Sequence, residues 1–187
     1  MFRHDRLYFW GAHGLLFIAN ASTWFFLNNS FGFVLTATIA AVAILHNDKM
    51  SRRRATIDLI LSRNQDDDLK KSDETMSKLE EKKLRELAIK LKSSAYDGIN
   101  DPDELELQQI SSILEVLNWY EFVATGVREG AFDYKIFHRN RHTLTVRDWD
   151  KLEPFVNQLR LNEDKNTFFK EFAWLACNFK KYPLKDD

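Results

Sequence analysis

The chain has 187 residues, a formal net charge of −1, 44% hydrophobic residues and a single cysteine. That much apolar material excludes a disordered chain, and the near-neutral balance excludes a strongly basic nucleic-acid binder acting through long-range charge. One cysteine, Cys177, rules out an internal disulfide framework and fits a reducing compartment.

From Leu7 to Asn47 there is no Asp, Glu, Lys or Arg, and Asn28-Asn29-Ser30 supplies turn chemistry in the middle. As a helix, Leu7–Leu27 would reach roughly 31 Å, enough for a hydrocarbon core of about 30 Å. The second run, Phe31–Leu45, would reach only about 22 Å and needs flanking residues or a thinned bilayer. The expectation is a two-helix transmembrane hairpin in residues 1–48, with spans at about 7–27 and 31–47. Two other readings of this stretch are a helical hairpin buried in a soluble core and a cleaved signal peptide ending at Ala19-Asn20-Ala21. Arg3 and Arg6 precede the first run, and Lys49, Arg52, Arg53 and Arg54 follow the second. The positive-inside rule then puts both termini in the cytoplasm of a two-pass protein of the bacterial inner membrane.

Within the first run, His13, Asn20 and Thr23 share one helical stripe, suited to a polar seam at membrane depth or to bonds within the hairpin. Gly32, Thr36, Ala40 and Ala43 form a small-residue face on the second, the expected packing surface of the hairpin. Residues 49–64 read as a basic juxtamembrane helix, with Lys49, Arg52, Arg53 and Arg54 at headgroup level.

Residues 65–187 read as one cytoplasmic helical domain. Asp66-Asp67-Asp68 can cap a helix running from Leu69 to Ala95, whose narrow apolar stripe either packs on the body or pairs as a coiled coil. Gly98 ends it, and Asp101-Pro102 restarts the chain into a helix over 103–129 with a broad apolar face. Gly130 stops that helix, Asp133 opens the next, and apolar period continues through Leu159. The last helix is predicted over Lys165–Lys181, closed by Pro183. No segment alternates, so the fold class is all-α.

His138 and His142 stand at i, i+4, a spacing able to hold zinc with Asp133, Asp148 or Glu153 as a third ligand. Arg139 occupies the place where a zinc protease carries Glu, and Arg139, Arg141 and Arg147 would repel a cation, so no metal and no cofactor is expected. Cys177 lies on an apolar helix face and reads as a core residue. With no phosphate loop, nucleophile elbow or paired cysteines, the chain is not read as an enzyme. Lys135, His138, Arg139, Arg141, His142 and Arg147 make the one basic patch of the body. It suits contact with a partner or with nucleic acid, the latter only through a protein complex, or else internal pairs such as Arg147 with Glu121 or Asp148.

Arg54-Ala55-Thr56-Ile57-Asp58-Leu59-Ile60, Leu117-Asn118-Trp119-Tyr120-Glu121-Phe122-Val123-Ala124-Thr125-Gly126-Val127, Gly130-Ala131-Phe132-Asp133, Arg147-Asp148-Trp149 and Phe172-Ala173-Trp174-Leu175 are the most distinctive stretches. On these the chain resembles an uncharacterised bacterial family of small membrane-anchored helical proteins labelled only as a domain of unknown function. Its layout is also similar to the two-transmembrane effectors of bacterial retron anti-phage systems. That likeness implies a non-enzymatic effector, held inactive by a partner complex, that perturbs the inner membrane when released. The alternative is a membrane-tethered adaptor recruiting a cytosolic protein. The partners expected are the lipid bilayer, a cytosolic protein and further copies of the chain.

Overall fold

The computed structural model describes residues 30–93 and 102–184. Among these residues every regular element is a helix: α1 (Ser30–Gln65), α2 (Asp67–Lys78), α3 (Glu81–Ser93), α4 (Glu104–Arg128), α5 (Tyr134–Glu163) and α6 (Lys170–Lys181). The chain divides into two compact units, residues 1–51 and 52–187, and α1 contributes to both.

The membrane expectation is corrected. Among the described residues no helix is long and apolar enough to cross a bilayer, so the expected two-pass inner-membrane hairpin is not supported. The physical reason lies in the second expected span. The apolar part of α1, residues 31–45, measures only about 22 Å as a helix. Thr36 and Thr38 interrupt it, and His46-Asn47-Asp48-Lys49 follow at once. The Thr38 hydroxyl donates to the Val34 carbonyl one turn back, at 2.8 Å. Phe33, Val34, Leu35, Ile39, Val42, Ile44 and Leu45 are all exposed. Of the small-residue face, Ala40 and Ala43 are exposed and Thr36 is half-buried. The first expected span and the seam His13/Asn20/Thr23 lie outside the described residues.

In the second unit α4 is central: it packs against α2, α3, α5 and α6. One cluster of the core gathers Leu84, Leu87, Ile113, Leu117, Leu152, Phe155 and Phe172; another gathers Ile60, Val123, Ala124, Phe137, Leu175 and Phe179. Trp119 of α4 touches both. Tyr120 stacks on Phe172 with ring centroids 4.2 Å apart.

Helix ends follow the local chemistry in three places. Asp66 caps α2 by accepting from the N–H groups of Asp68 and Leu69. Asp103 and Glu106 form a reciprocal capping box at the start of α4, so the cap is Asp103, one residue after Pro102, and not Asp101. Asp133 caps α5 through the Ile136 N–H at 3.0 Å.

Two helices depart from expectation. The helix expected over 69–95 breaks at Leu79-Glu80 into α2 and α3. Leu79 is extended and buried there, and Lys151 of α5 donates its ammonium to the freed carbonyls of Ser77 and Leu79. A partner from a distant helix satisfies groups that an unbroken helix would have bonded internally. The last helix begins at Lys170, five residues later than expected. Asp164 and Phe169 adopt left-handed backbone, and Arg160 donates to the Phe168 carbonyl across the turn. With Phe169 offering no cap, Glu121 of α4 supplies one, accepting from the N–H groups of Glu171 (3.2 Å) and Phe172 (2.8 Å).

The α4–α5 turn depends on glycine. Gly130 takes φ +73°, and Gly126 lies under the Phe132 ring so closely that a Cβ there would sit 2.3 Å from it.

Candidate functional site

The basic segment of α5 is divided by its own helix. In its C-terminal part the exposed Arg147 pairs with the buried Asp148. Arg147 donates from Nε and Nη2 to Asp148 Oδ1 at 2.9 and 2.8 Å, and the buried Tyr120 hydroxyl donates to Asp148 Oδ2 at 2.7 Å. The pairing of Arg147 with Asp148 is therefore present, whereas Glu121 serves as the cap of α6. Burial pushes the Tyr120 phenol well up, and the neighbouring Asp148 charge adds to it.

Arg141 donates to Asn64 at 2.6 Å and lies over the Trp119 ring, which Arg63 also covers with its guanidinium carbon 4.9 Å from the centroid. Arg63 in turn is buried, and its Nη2 donates to both carboxylate oxygens of Asp73 at 2.7 and 2.8 Å. Burial pulls the Arg141 guanidinium down, and it pushes the Asp73 carboxyl up against the pull of Arg63. His142 Nε2 faces the Phe179 carbonyl at 3.0 Å and His138 Nε2 faces the Tyr182 carbonyl at 2.7 Å. A carbonyl only accepts, so in both rings Nε2 carries the proton. Both bonds finish the C-terminal end of α6, where free carbonyls and the helix dipole favour a donor. Among the described residues no three His, Cys, Asp or Glu side chains gather as a metal site.

The N-terminal part of the segment opens outward. Lys135, His138 and Arg139, with Tyr134, Ile136 and Arg53 of α1, line an open cavity of about 380 Å³. A bridge joins α1 to the start of α5 next to these residues. The buried Thr56 hydroxyl donates to the Arg52 carbonyl at 2.8 Å and accepts from the Asp133 N–H at 2.7 Å. Arg53, three residues earlier on α1, then reaches Asp133 Oδ2 with Nε at 3.3 Å. Burial raises the Asp133 carboxyl, but the Ile136 N–H and Arg53 outweigh it, and the net shift is downward. The Tyr134 and His138 rings stack at 5.4 Å to form one wall.

Lys135 and Arg139 are exposed and enter no ion pair or side-chain hydrogen bond among the described residues. Four of the six expected residues (His138, Arg141, His142, Arg147) thus have a partner within the fold. Lys135 and Arg139 line the cavity without one, and His138 lines it while bonded to Tyr182.

Residues 31–179 match the pattern of a family described as a domain of unknown function, DUF4760. The chain belongs to that family. No curated protein and no solved structure matches it. Membership in DUF4760 agrees with the resemblance to an uncharacterised family and carries no activity, anchoring or defence role with it.

Arg53, expected with Lys49, Arg52 and Arg54 at headgroup level, also bonds to Asp133. Tyr134, which also lines the cavity, carries no sequence signal of such a role. Eighty residues separate Arg53 from Asp133, and the one signal connecting them was a helix-capping carboxylate in need of a counter-charge. Cys177 is exposed and not part of the core. Helix period placed it one step beyond Leu175 and Ala176, which do point inward.

Proposed function

We propose that this DUF4760 chain is a non-enzymatic helical adaptor that recruits a protein partner by seating an anionic group of that partner in the cavity at the start of α5. The observation that carries the reading is the unpaired couple Lys135 and Arg139. They stand at i, i+4, where like charges destabilise a helix by roughly 0.2–0.5 kcal/mol, and no acidic side chain of the described fold offsets them. Arg53 adds a third cation on the same cavity while already holding Asp133. Cations that the fold leaves uncompensated, around a concave surface, fit a ligand that supplies the missing charge.

The retron-like effector expectation has a partner-held helical body in common with this reading. Its membrane-breaching step rested on two spans and is not carried forward. Growth arrest on expressing the chain without any partner would favour an effector over an adaptor.

The test is site-specific photo-crosslinking from position 136 in the cell that makes the protein. A discrete protein adduct is expected, and it should disappear when Lys135 and Arg139 are both changed to Glu while the helical circular dichroism is retained. An adduct indifferent to charge reversal, or none, overturns the proposal.

A further inference from the structure

We infer that the α5 cavity is a receptor for a phosphate monoester carried on a side chain of the partner, an inference that rests on reading this cavity as the partner site. Charge balance points to it. Arg53, Lys135 and Arg139 bring three positive charges, and Asp133 returns one negative charge through its bond with Arg53. The remainder is +2. A carboxylate would neutralise half of that, whereas a phosphate monoester carries about −1.5 to −2 at neutral pH and presents three acceptor oxygens.

Donor geometry agrees with the charge. Arg53 meets Asp133 through Nε alone, at 3.3 Å, so the terminal nitrogens of its planar fork are suited to a second oxyanion. Lys135 supplies a mobile ammonium and Arg139, one turn on, a second fork over the same opening. The cavity, about 380 Å³, accommodates a phosphorylated side chain with part of its backbone. Tyr134 and Ile136 offer apolar contact for the methylene or ring that bears the phosphate.

A nucleic acid fits less well. Polyanions need a track of cations so that successive phosphates are met. Here the residues that would extend the track along α5, Arg141 and Arg147, are bound to Asn64 and Asp148. The unit that carries the cavity, residues 52–187, also sums to −2: the whole chain is −1, and residues 1–51 carry three Lys/Arg against two Asp/Glu, or +1. A small positive opening on a unit with no net positive charge favours one phosphate over a chain of them.

The experiment is an NMR titration of the full ¹⁵N-labelled chain, following the backbone amides of residues 134–139. The probes are N-acetyl-phosphoserine methylamide, its glutamate counterpart, adenosine monophosphate and a single-stranded oligonucleotide. Phosphoserine is expected to bind at least fivefold more tightly than glutamate and more tightly than the nucleotide or oligonucleotide. Arg139→Ala should weaken phosphoserine binding roughly tenfold and Lys135→Ala less, with unchanged amide spectra elsewhere, as expected for exposed cations contacting an anion.

Equal binding of the phosphoserine and glutamate probes overturns the phosphate assignment and leaves the adaptor reading standing. Tighter binding of the nucleotide or oligonucleotide overturns the assignment to a protein-borne phosphate. If no anion shifts these amides, the cavity is not an anion site and both readings fall.

Discussion

The first two turns of α5 and the turns that follow have nearly the same composition and opposite fates. Lys135 and Arg139 look onto an open cavity without a partner, whereas His138, Arg141, His142 and Arg147 are engaged by the Tyr182 carbonyl, Asn64, the Phe179 carbonyl and Asp148. The difference comes from what each turn faces. Arg141 and Asp148 lie against Trp119, Tyr120 and the Arg63–Asp73 pair, where an unmatched charge would be desolvated, and both are given partners. Only Arg141 Nε and Thr145 Oγ1 of this turn are buried without one. Residues 135 and 139 face water, and water tolerates an unpaired cation at little cost.

The sharpest way to break this contrast is Asp148→Ala. It strands the buried Tyr120 hydroxyl and frees Arg147, and should cost about 2–3 kcal/mol in chemical denaturation. A loss near zero would mean that the inner charges are as dispensable as the outer ones.

A smaller effect is expected at a compensated pair elsewhere in the bundle. Hydrogen bonds from Lys83 and Lys90, helped by the Asp103 N–H, hold the Glu106 carboxyl down at about 2, from an ordinary 4.5. A depressed carboxylate stabilises the fold above its unfolded value and loses that contribution as the pH falls from about 4.5 towards 2. Glu106→Gln should therefore flatten the dependence of thermal stability on pH in that window and leave its slope above pH 5 unchanged. An unaltered acid limb would remove Glu106 from the stabilising set.

The smallest effect belongs to the cavity. Lys135→Ala combined with Arg139→Ala should change stability by no more than about 0.5 kcal/mol, and in the favourable direction, because a like-charge pair is removed. A substantial loss would show that these cations hold the fold, and the contrast between the two parts of α5 would vanish.

Much of the bundle could be read from residue order. The caps Asp66 and Asp133, the stop at Gly130 and the inward faces of α4 and α5 depend on neighbours within a few positions, and helix period reports those directly. The break at Leu79 could not be read this way, because it is satisfied by Lys151, seventy-two residues away. Nor could the late start of α6, whose cap comes from Glu121. The exposed apolar run of α1 shows the limit in another form: hydropathy marked it as a span, and its described length falls short of a bilayer.

For the site, the sequence by itself determined which residues were cationic and that they shared one helix, since covalent order and the 3.6-residue repeat set both. Only the tertiary structure decided which of them remained available. Pairing is a through-space property: Asn64, Asp148 and the end of α6 reached some of these side chains, and the bridge from Thr56 to Asp133 brought Arg53 to the others.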